Sequence, residues 1–509
     1  MHFNPNPSSI LKLKPTMKKH LSFLAAALLC GIVATPRALA DVRLPEVLGD
    51  HLVLQQDSEV TLWGWACTGE PVNIETSWGV KCQVRGDAQG QWRVKIKTPH
   101  ASPLDKGLHP EHITFTVPGE NMAQIKDILI GEVWLCSGQS NMLMPLKPGY
   151  PEGWCAWFGE SSWPEESKHA ERPGLRVFNL ENAGAPVPQA DCKSNLSAHM
   201  MQPKDAAGLI PDLKRGWQPC TAATAPDFSA VAYYFGAALS EKLNVPVGVI
   251  TCSVGGTGIK SWMCEKTLPA PATRSGRNAP SIYFNGMIAP LTPMKIKGII
   301  WYQGESDVRM GSQYGPLFQT MITDWRKQFD SADLPFYFVQ IAPFHHRLAG
   351  AAGDLRAAQA SALQLKNTGM AVISDVSDVS NIHPKAKREV GRRLAFQALN
   401  KTYDCKEIAA DGPVFKSAAL KEGKIHIAFD HLGGGLVARD GKPLTCFEVA
   451  GADGIFAPAV AAILGDEVVV SLPAALTPRT LRFGWGEADT PNLMGKTGMP
   501  ARQFQAPVQ

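Results

Sequence analysis

At 509 residues the chain exceeds one ordinary domain, and 45% hydrophobic with 19% charged residues is the balance of a globular protein of two or three domains. The formal charge is +4, but Lys12, Lys14, Lys18, Lys19 and Arg37 all fall in residues 1–40, where there is no acid, so the rest of the chain is close to neutral. A near-neutral body gives no electrostatic reason to expect nucleic acid or an anionic membrane as partner.

Lys18 and Lys19 precede the apolar run Leu21–Ala34, and Ala38-Leu39-Ala40 offers small residues where a signal peptidase reads them. Residues 1–40 are therefore expected to be a signal peptide with its leader, the mature chain starting at Asp41 and being secreted or periplasmic. Cys30 follows Leu28-Leu29 rather than the small residues of a lipoprotein site, and no later apolar run is long enough to span a bilayer, so no membrane anchor is expected. Of eleven cysteines, all but Cys30 lie in the mature region, where disulfides are permitted. Cys67 with Cys82, Cys252 with Cys264, and Cys405 with Cys446 are candidate pairs, with buried thiols as the alternative. No Cys-x-x-Cys pair occurs, which argues against zinc.

Residues 41–125 read as an N-terminal β-domain of short strands and turns. Val60–Trp65 and Gln91–Ile96 alternate apolar with polar residues, which places Trp63, Trp65 and Trp92 on a buried face. From residue 126 to 404 the period changes. Apolar runs at Ile128–Cys136, Val245–Cys252, Ile296–Tyr302, Pro335–Ile341 and Met370–Ser374 alternate with helical patterns at Ala230–Leu243, Pro316–Phe329, Asp354–Leu365 and Lys385–Tyr403. Continuously apolar strands separated by amphipathic helices predict an α/β fold, a parallel sheet with helices on both faces. Ligands in such folds bind at the carboxyl ends of the strands, and Ser140, Gly255-Gly256 and Gln303-Gly304-Glu305 each follow such a strand directly.

An irregular insertion, residues 144–227, interrupts this alternation and carries Trp154, Trp157, Trp163 and Trp217, which either pack the insertion or stack on a substrate. Residues 405–509 return to strands at Lys424–Phe429, Val468–Leu472 and Thr480–Trp485, a C-terminal β-domain.

A serine hydroxyl needs a base to take its proton and donors to hold the oxyanion that forms. The nucleophile elbow Gly-x-Ser-x-Gly fails at Ser140, because Met142 stands last. Gly138-Gln-Ser-Asn141 instead resembles the first block of the SGNH (GDSL-like) hydrolase superfamily. With Gly131–Met142, Phe284–Pro290, Trp301-Tyr-Gln-Gly-Glu-Ser306 and Ile382-His-Pro-Lys385 read together, the chain resembles the sialate O-acetylesterases and related carbohydrate acetylesterases. The likeness runs from Leu44–Asp50 to Gly498-Met-Pro500.

The resemblance implies an SGNH-hydrolase (flavodoxin-like) sheet flanked by β-sandwich-like domains. It makes Ser140 the nucleophile and His383 the general base; Pro384 then falls in the first turn of the following helix, where a missing amide hydrogen costs nothing. The oxyanion hole would be the Ser140 amide, an amide of Gly255-Gly256-Thr257 with Gly256 preferred, and the Gln303 side chain. The acid of the triad stays open, because Ser380 stands where many relatives have Asp: Glu305, Asp378 and a dyad without an acid all remain. Asn141, Arg356 and Gln359 are expected to line or bind substrate, Asn141 also holding the geometry of the turn through hydrogen bonds or serving as a plain turn residue, whereas Asp307 and His345-His346 read as loop positions. The implied activity is removal of O-acetyl groups from sugars, sialic acids first and acetylated xylan or other glycans second, with no metal or organic cofactor. The rival from another class is a carbohydrate-binding protein with a dead site.

Overall fold

The computed structural model describes residues 42–118, 122–147, 163–196, 215–269, 276–348, 350–472 and 476–509. The expected signal peptide, Trp154, Trp157 and much of the 144–227 insertion lie outside the described residues, as does the side chain of Trp163. Residues 40–509 form one compact unit.

The strand Ala123–Gly138 is the axis of that unit. Its first half pairs with Glu111–Thr116 and Val53–Gln55 in the N-terminal region; its second half is the middle of the central sheet, so one strand runs unbroken across residues 125 and 126. The central sheet runs Thr368–Ala371, Phe336–Val339, Gly298–Tyr302, Ala123–Gly138, Val247–Ser253, Arg172–Asn179 and Trp217–Cys220. All neighbours are parallel except the last pair, an antiparallel edge added by the insertion.

Alternate residues of these strands feed two separate cores, as a period of two requires. Leu135, Ile250, Ile299, Trp301 and Phe338 pack with the helices Tyr314–Gln328 and Ala351–Ser361, whereas Trp134, Cys136, Val249, Ile300 and Tyr302 pack with Ala230–Leu243 and Lys387–Lys401. The sheet is therefore covered on both faces, which explains why its strands read as unbroken apolar runs. Helix Ala230–Leu243 begins where Ser229 Oγ accepts from the Ala232 amide and ends at Asn244 in the left-handed region, a side-chain cap at one end and a left-handed stop at the other.

Three expectations need correction. Trp63 and Trp92 fill the N-terminal core, but Trp65 sits half-buried at its margin with the Arg43 guanidinium 3.5 Å from its ring centroid. Helix Lys387–Lys401 starts at N-cap Ala386, so Pro384 precedes the helix instead of occupying its first turn. The six cysteines of the three candidate pairs are free thiols. Cys252 is wholly buried in a central strand while Cys67 is exposed, and burial pushes the Cys252 thiol well up.

At the C-terminal end, Val414–Lys421, Lys424–Asp430, Glu467–Ser471 and Val460–Leu464 form one antiparallel sheet, and Phe456–Pro458, Phe447–Ala450, Thr480–Phe483 and Phe504–Pro507 another. Ile425, Ile427, Val468 and Val470 from the first share one core with Val449, Leu481 and Phe483 from the second, the arrangement of a sandwich. No helix among the described residues is long and apolar enough to cross a membrane.

Candidate active site

Strand order reverses at Ala123–Gly138: the chain goes to one side for Val247–Ser253 and to the other for Gly298–Tyr302. Such a switch opens a crevice at the strands' carboxyl ends. Gly138 makes the exit possible. Its φ is +148°, and a Cβ there would stand 2.1 Å from the Tyr302 carbonyl oxygen, so only glycine lets the chain turn this close to the neighbouring strand. Gln139 caps the short helix Ser140–Leu143, donates its amide to Tyr302 O at 3.0 Å, and accepts through Oε1 from the Ser306 amide at 3.3 Å. Ser140 is thus the first helical residue, partly exposed above the sheet.

His383 arrives on the loop that follows Thr368–Ala371, and its Nε2 lies 3.0 Å from Ser140 Oγ. Its own amide donates to Asn381 Oδ1 at 2.9 Å, which fixes the loop beneath the ring. Burial, and then the positive charge of Lys387, bring the imidazole down to about 4, so near neutral pH it is uncharged and able to accept a proton. Gly255 abuts the nucleophile, for a Cβ there would meet Ser140 Cβ at 3.5 Å, and Gly256 follows with φ +72°.

Asn141 is wholly buried beside the nucleophile and all three of its contacts are internal. Nδ2 donates to Glu305 Oε1 at 2.5 Å and to the Ile382 carbonyl at 3.1 Å, while Oδ1 accepts from the Lys387 ammonium. It therefore joins the Ser140 helix to the His383 loop and is not presented to a substrate. Glu305, also buried, keeps Oε2 without a hydrogen-bond partner, and burial raises its pKa. Asp378 is exposed and turns back on its own loop, accepting from the Ser380 amide at 2.9 Å and the Ser380 hydroxyl at 2.6 Å, contacts that lower its pKa. The acids weighed for the triad are thus engaged by Asn141 and by Ser380.

Gln303 departs from the oxyanion role expected of it. Nε2 donates to Thr257 O at 3.0 Å and Asp307 Oδ2 at 2.6 Å, and Oε1 accepts from Tyr314 OH at 2.8 Å. A primary amide has two N–H groups, and both are engaged below the crevice. Arg356 and Gln359 depart too. The Arg356 guanidinium is buried against the C-terminal region, donating to the carbonyls of Gly484, Trp485 and Gly486 and to Gln503 Oε1. Gln359 donates to Gln303 O and Val339 O and accepts from the Ile341 amide, bracing the strand ends from below. Both share a helix face, but that face meets protein.

Asp307 is the residue that the sequence undersold. It is buried, and it accepts from the Ile259 amide at 2.7 Å as well as from Gln303, so one carboxylate connects the loops after two strands. The spacing Gln303…Asp307 was a visible hint; the Ile259 contact was not. Trp217 packs in the core with its Nε1 donating to Val47 O, and His346 meets the Phe344 ring edge-on in a loop. Among the described residues no cluster of His, Cys, Asp or Glu could hold a metal ion.

A hydroxyl and a neutral imidazole at hydrogen-bond distance, at the switch point of a parallel sheet, are an arrangement compatible with a hydrolase. Comparison with known proteins narrows the class. Residues 130–400, just over half of the chain, match the family model described as a carbohydrate esterase, sialic acid-specific acetylesterase. The chain belongs to this family and is a carboxylic ester hydrolase. Sialate O-acetylesterase of Mus musculus is 25% identical over 459 residues, covering 76% of this chain and 79% of that protein; the Homo sapiens enzyme is 26% identical over 411 residues, 73% of each. A solved carbohydrate acetylesterase from Xanthomonas citri is 32% identical, with a TM-score of 0.80 over 92% of this chain and 99% of that one.

Proposed function

We propose that this chain is a secreted or periplasmic esterase that removes O-acetyl groups from sugars, sialic acids first, with Ser140 as nucleophile and His383 as general base. The observation that carries the reading is the 3.0 Å contact between Ser140 Oγ and an imidazole that burial keeps neutral. As Oγ attacks the acetyl carbonyl carbon, its proton passes to Nε2. The tetrahedral oxyanion is held by the amides of Ser140 and Gly256, and its collapse expels the sugar alkoxide, which takes the proton back from the imidazolium. Water, deprotonated by the same nitrogen, then attacks the acetyl-serine and acetate leaves, restoring the hydroxyl. The Glu305 carboxylate, bonded to Asn141 beside the nucleophile, supplies negative charge near the imidazolium that forms.

The second reading is an acetylated glycan other than a sialic acid. It is favoured by the solved relative, which matches nearly the whole chain and is called a carbohydrate acetylesterase. Acetate release from O-acetylated sialic acids beside xylo-oligosaccharides separates the two. Ser140→Ala should lower kcat on either substrate, or on a chromogenic acetyl ester, by about 10³-fold or more; turnover that survives the substitution would overturn the mechanism. In kcat/KM against pH the acid limb should fall near pH 4. The sign follows from the base having to be unprotonated: a depressed folded pKa keeps activity as pH drops until that value is reached.

A further inference from the structure

A lysine in the first turn of a surface helix ordinarily extends into water; Lys387 does not. It is 1% exposed, its ammonium donates to Asn141 Oδ1, and it stands 5.2 Å from the centroid of the Tyr302 ring. An ammonium has donors and no acceptor, so it can address only the oxygen of a neighbouring amide. That settles which way the Asn141 side chain points. With Oδ1 turned to Lys387, Nδ2 must face Glu305 Oε1 and the Ile382 carbonyl, at 2.5 and 3.1 Å. The reverse orientation would set two N–H groups against three and an amide oxygen against a carboxylate and a carbonyl. Asn141 is the residue after the nucleophile, and Ile382 is the residue before the base.

We propose that Lys387 is a positioning residue for ester hydrolysis: by fixing the Asn141 amide it ties the Ser140 helix to the His383 loop and holds hydroxyl and imidazole in register. The proposal rests on the roles given above to Ser140 and His383. Lys387 touches neither substrate nor reacting atom in this account; it acts through Asn141, and Glu305 balances its charge on the far side of the same amide. The charged and titratable groups around His383 are Ser140 on the nucleophile helix, Glu305 behind Asn141, Lys387 and the buried Tyr302 beneath it, and the exposed Asp378 and Lys385 of its own loop. The charge of Lys387 acts on the imidazole, adding to burial in keeping it unprotonated.

Two variants separate orientation from charge. Lys387→Met removes both; Lys387→Gln removes the charge but keeps an N–H for Asn141 Oδ1. With a chromogenic acetyl ester, Lys387→Met should lower kcat by about 10- to 100-fold with KM within about twofold, as a small loss of register does. Lys387→Gln should lose far less, about threefold. In both, the acid limb of kcat/KM should move to higher pH, because a cation beside the base has gone. If orientation through Asn141 is the route, Lys387→Met combined with Asn141→Ala should be no slower than the slower single variant. The proposal is overturned if Lys387→Met retains kcat, if the acid limb stays put, or if the two losses multiply. Should Lys387→Met fail to fold, Lys387→Gln decides alone: a 100-fold loss, or an unmoved acid limb, overturns the proposal. Failure of the underlying mechanism looks different, because then Ser140→Ala retains turnover whatever happens at position 387.

Discussion

Among the cations buried in helices of this domain, Lys387 at 1% exposure and Arg356 at 3% illustrate opposite ways of keeping a charge out of water. Lys387 sits among side chains: an amide oxygen, an aromatic face and, through that amide, a carboxylate. Arg356 sits among backbone carbonyls, three of them consecutive, contributed by a segment roughly 130 residues further along. An isolated buried charge is costly, so each needs its partners, but the partners differ in what they do in return. The lysine's partners lead to Ser140 and His383; the arginine's lead to another region of the chain. Burial alone therefore does not separate a residue that serves chemistry from one that serves assembly, whereas the identity of the acceptor does.

The largest effect that would break this contrast comes from Arg356→Met. It takes a donor from the carbonyls of Gly484, Trp485 and Gly486, of which Gly486 keeps the Asp489 amide, and should cost on the order of 3–5 kcal/mol in urea unfolding. The contrast also requires a remaining folded fraction that binds substrate with an ordinary KM. If the variant were as stable as wild type but had lost substrate affinity, Arg356 would be a binding residue after all, as its helix face suggested. A smaller effect is expected at Asp307→Asn. The replacement keeps the shape, and its one oxygen can take the place of Oδ2, to which both Ile259 N and Gln303 Nε2 donate, but both bonds lose the carboxylate charge, so kcat on a chromogenic ester should fall by about 3-fold, with the unfolding midpoint lowered. Unchanged kcat would mean that the loops after Val247–Ser253 and Gly298–Tyr302 do not need this tie.

How much of this was legible in the chain follows from where each partner lies. The central strands and helix Ala230–Leu243 were readable because their signal is local: buried runs, a Ser229 cap, an Asn244 stop. Ser140 and His383 were readable from motifs that the family resemblance linked. Lys387 and Asp307 were not, since charged residues after a turn are by default solvated, and nothing near them in sequence announces Asn141, 246 positions away, or Ile259, 48 away. Arg356 and Gln359 show a subtler failure: the helix period put them on one inward face correctly, but cannot say whether substrate or protein faces it. The Gln303 amide was mistaken for a similar reason: Asp307 and Tyr314 follow it closely but do not announce that they turn toward it, and Thr257, the third partner that fixes its direction, is 46 positions away.

The smallest effect concerns the loop Phe344–Leu348, which links the two regions compared above. Glu487 of the C-terminal region accepts the Phe344 amide through its carbonyl at 2.8 Å and the Arg347 and Leu348 amides through its two carboxylate oxygens at 3.1 and 3.2 Å. On its other side the same loop donates the His345 amide to Val379 O, at 3.3 Å, in the segment leading to His383. Glu487→Gln leaves one acceptor for two donors and sets an amide N–H against the second. As Glu487 is only partly buried, the cost should be about 0.5–1.5 kcal/mol. Hydrogen exchange should then quicken at the Arg347 and Leu348 amides and stay unchanged at those of the central strands. The kinetic outcome sharpens the comparison: if the C-terminal region only holds the fold, kcat stays at the wild-type value, whereas a fall in kcat with no loss of global stability would show that the arginine's side of the molecule also reaches the base through Val379.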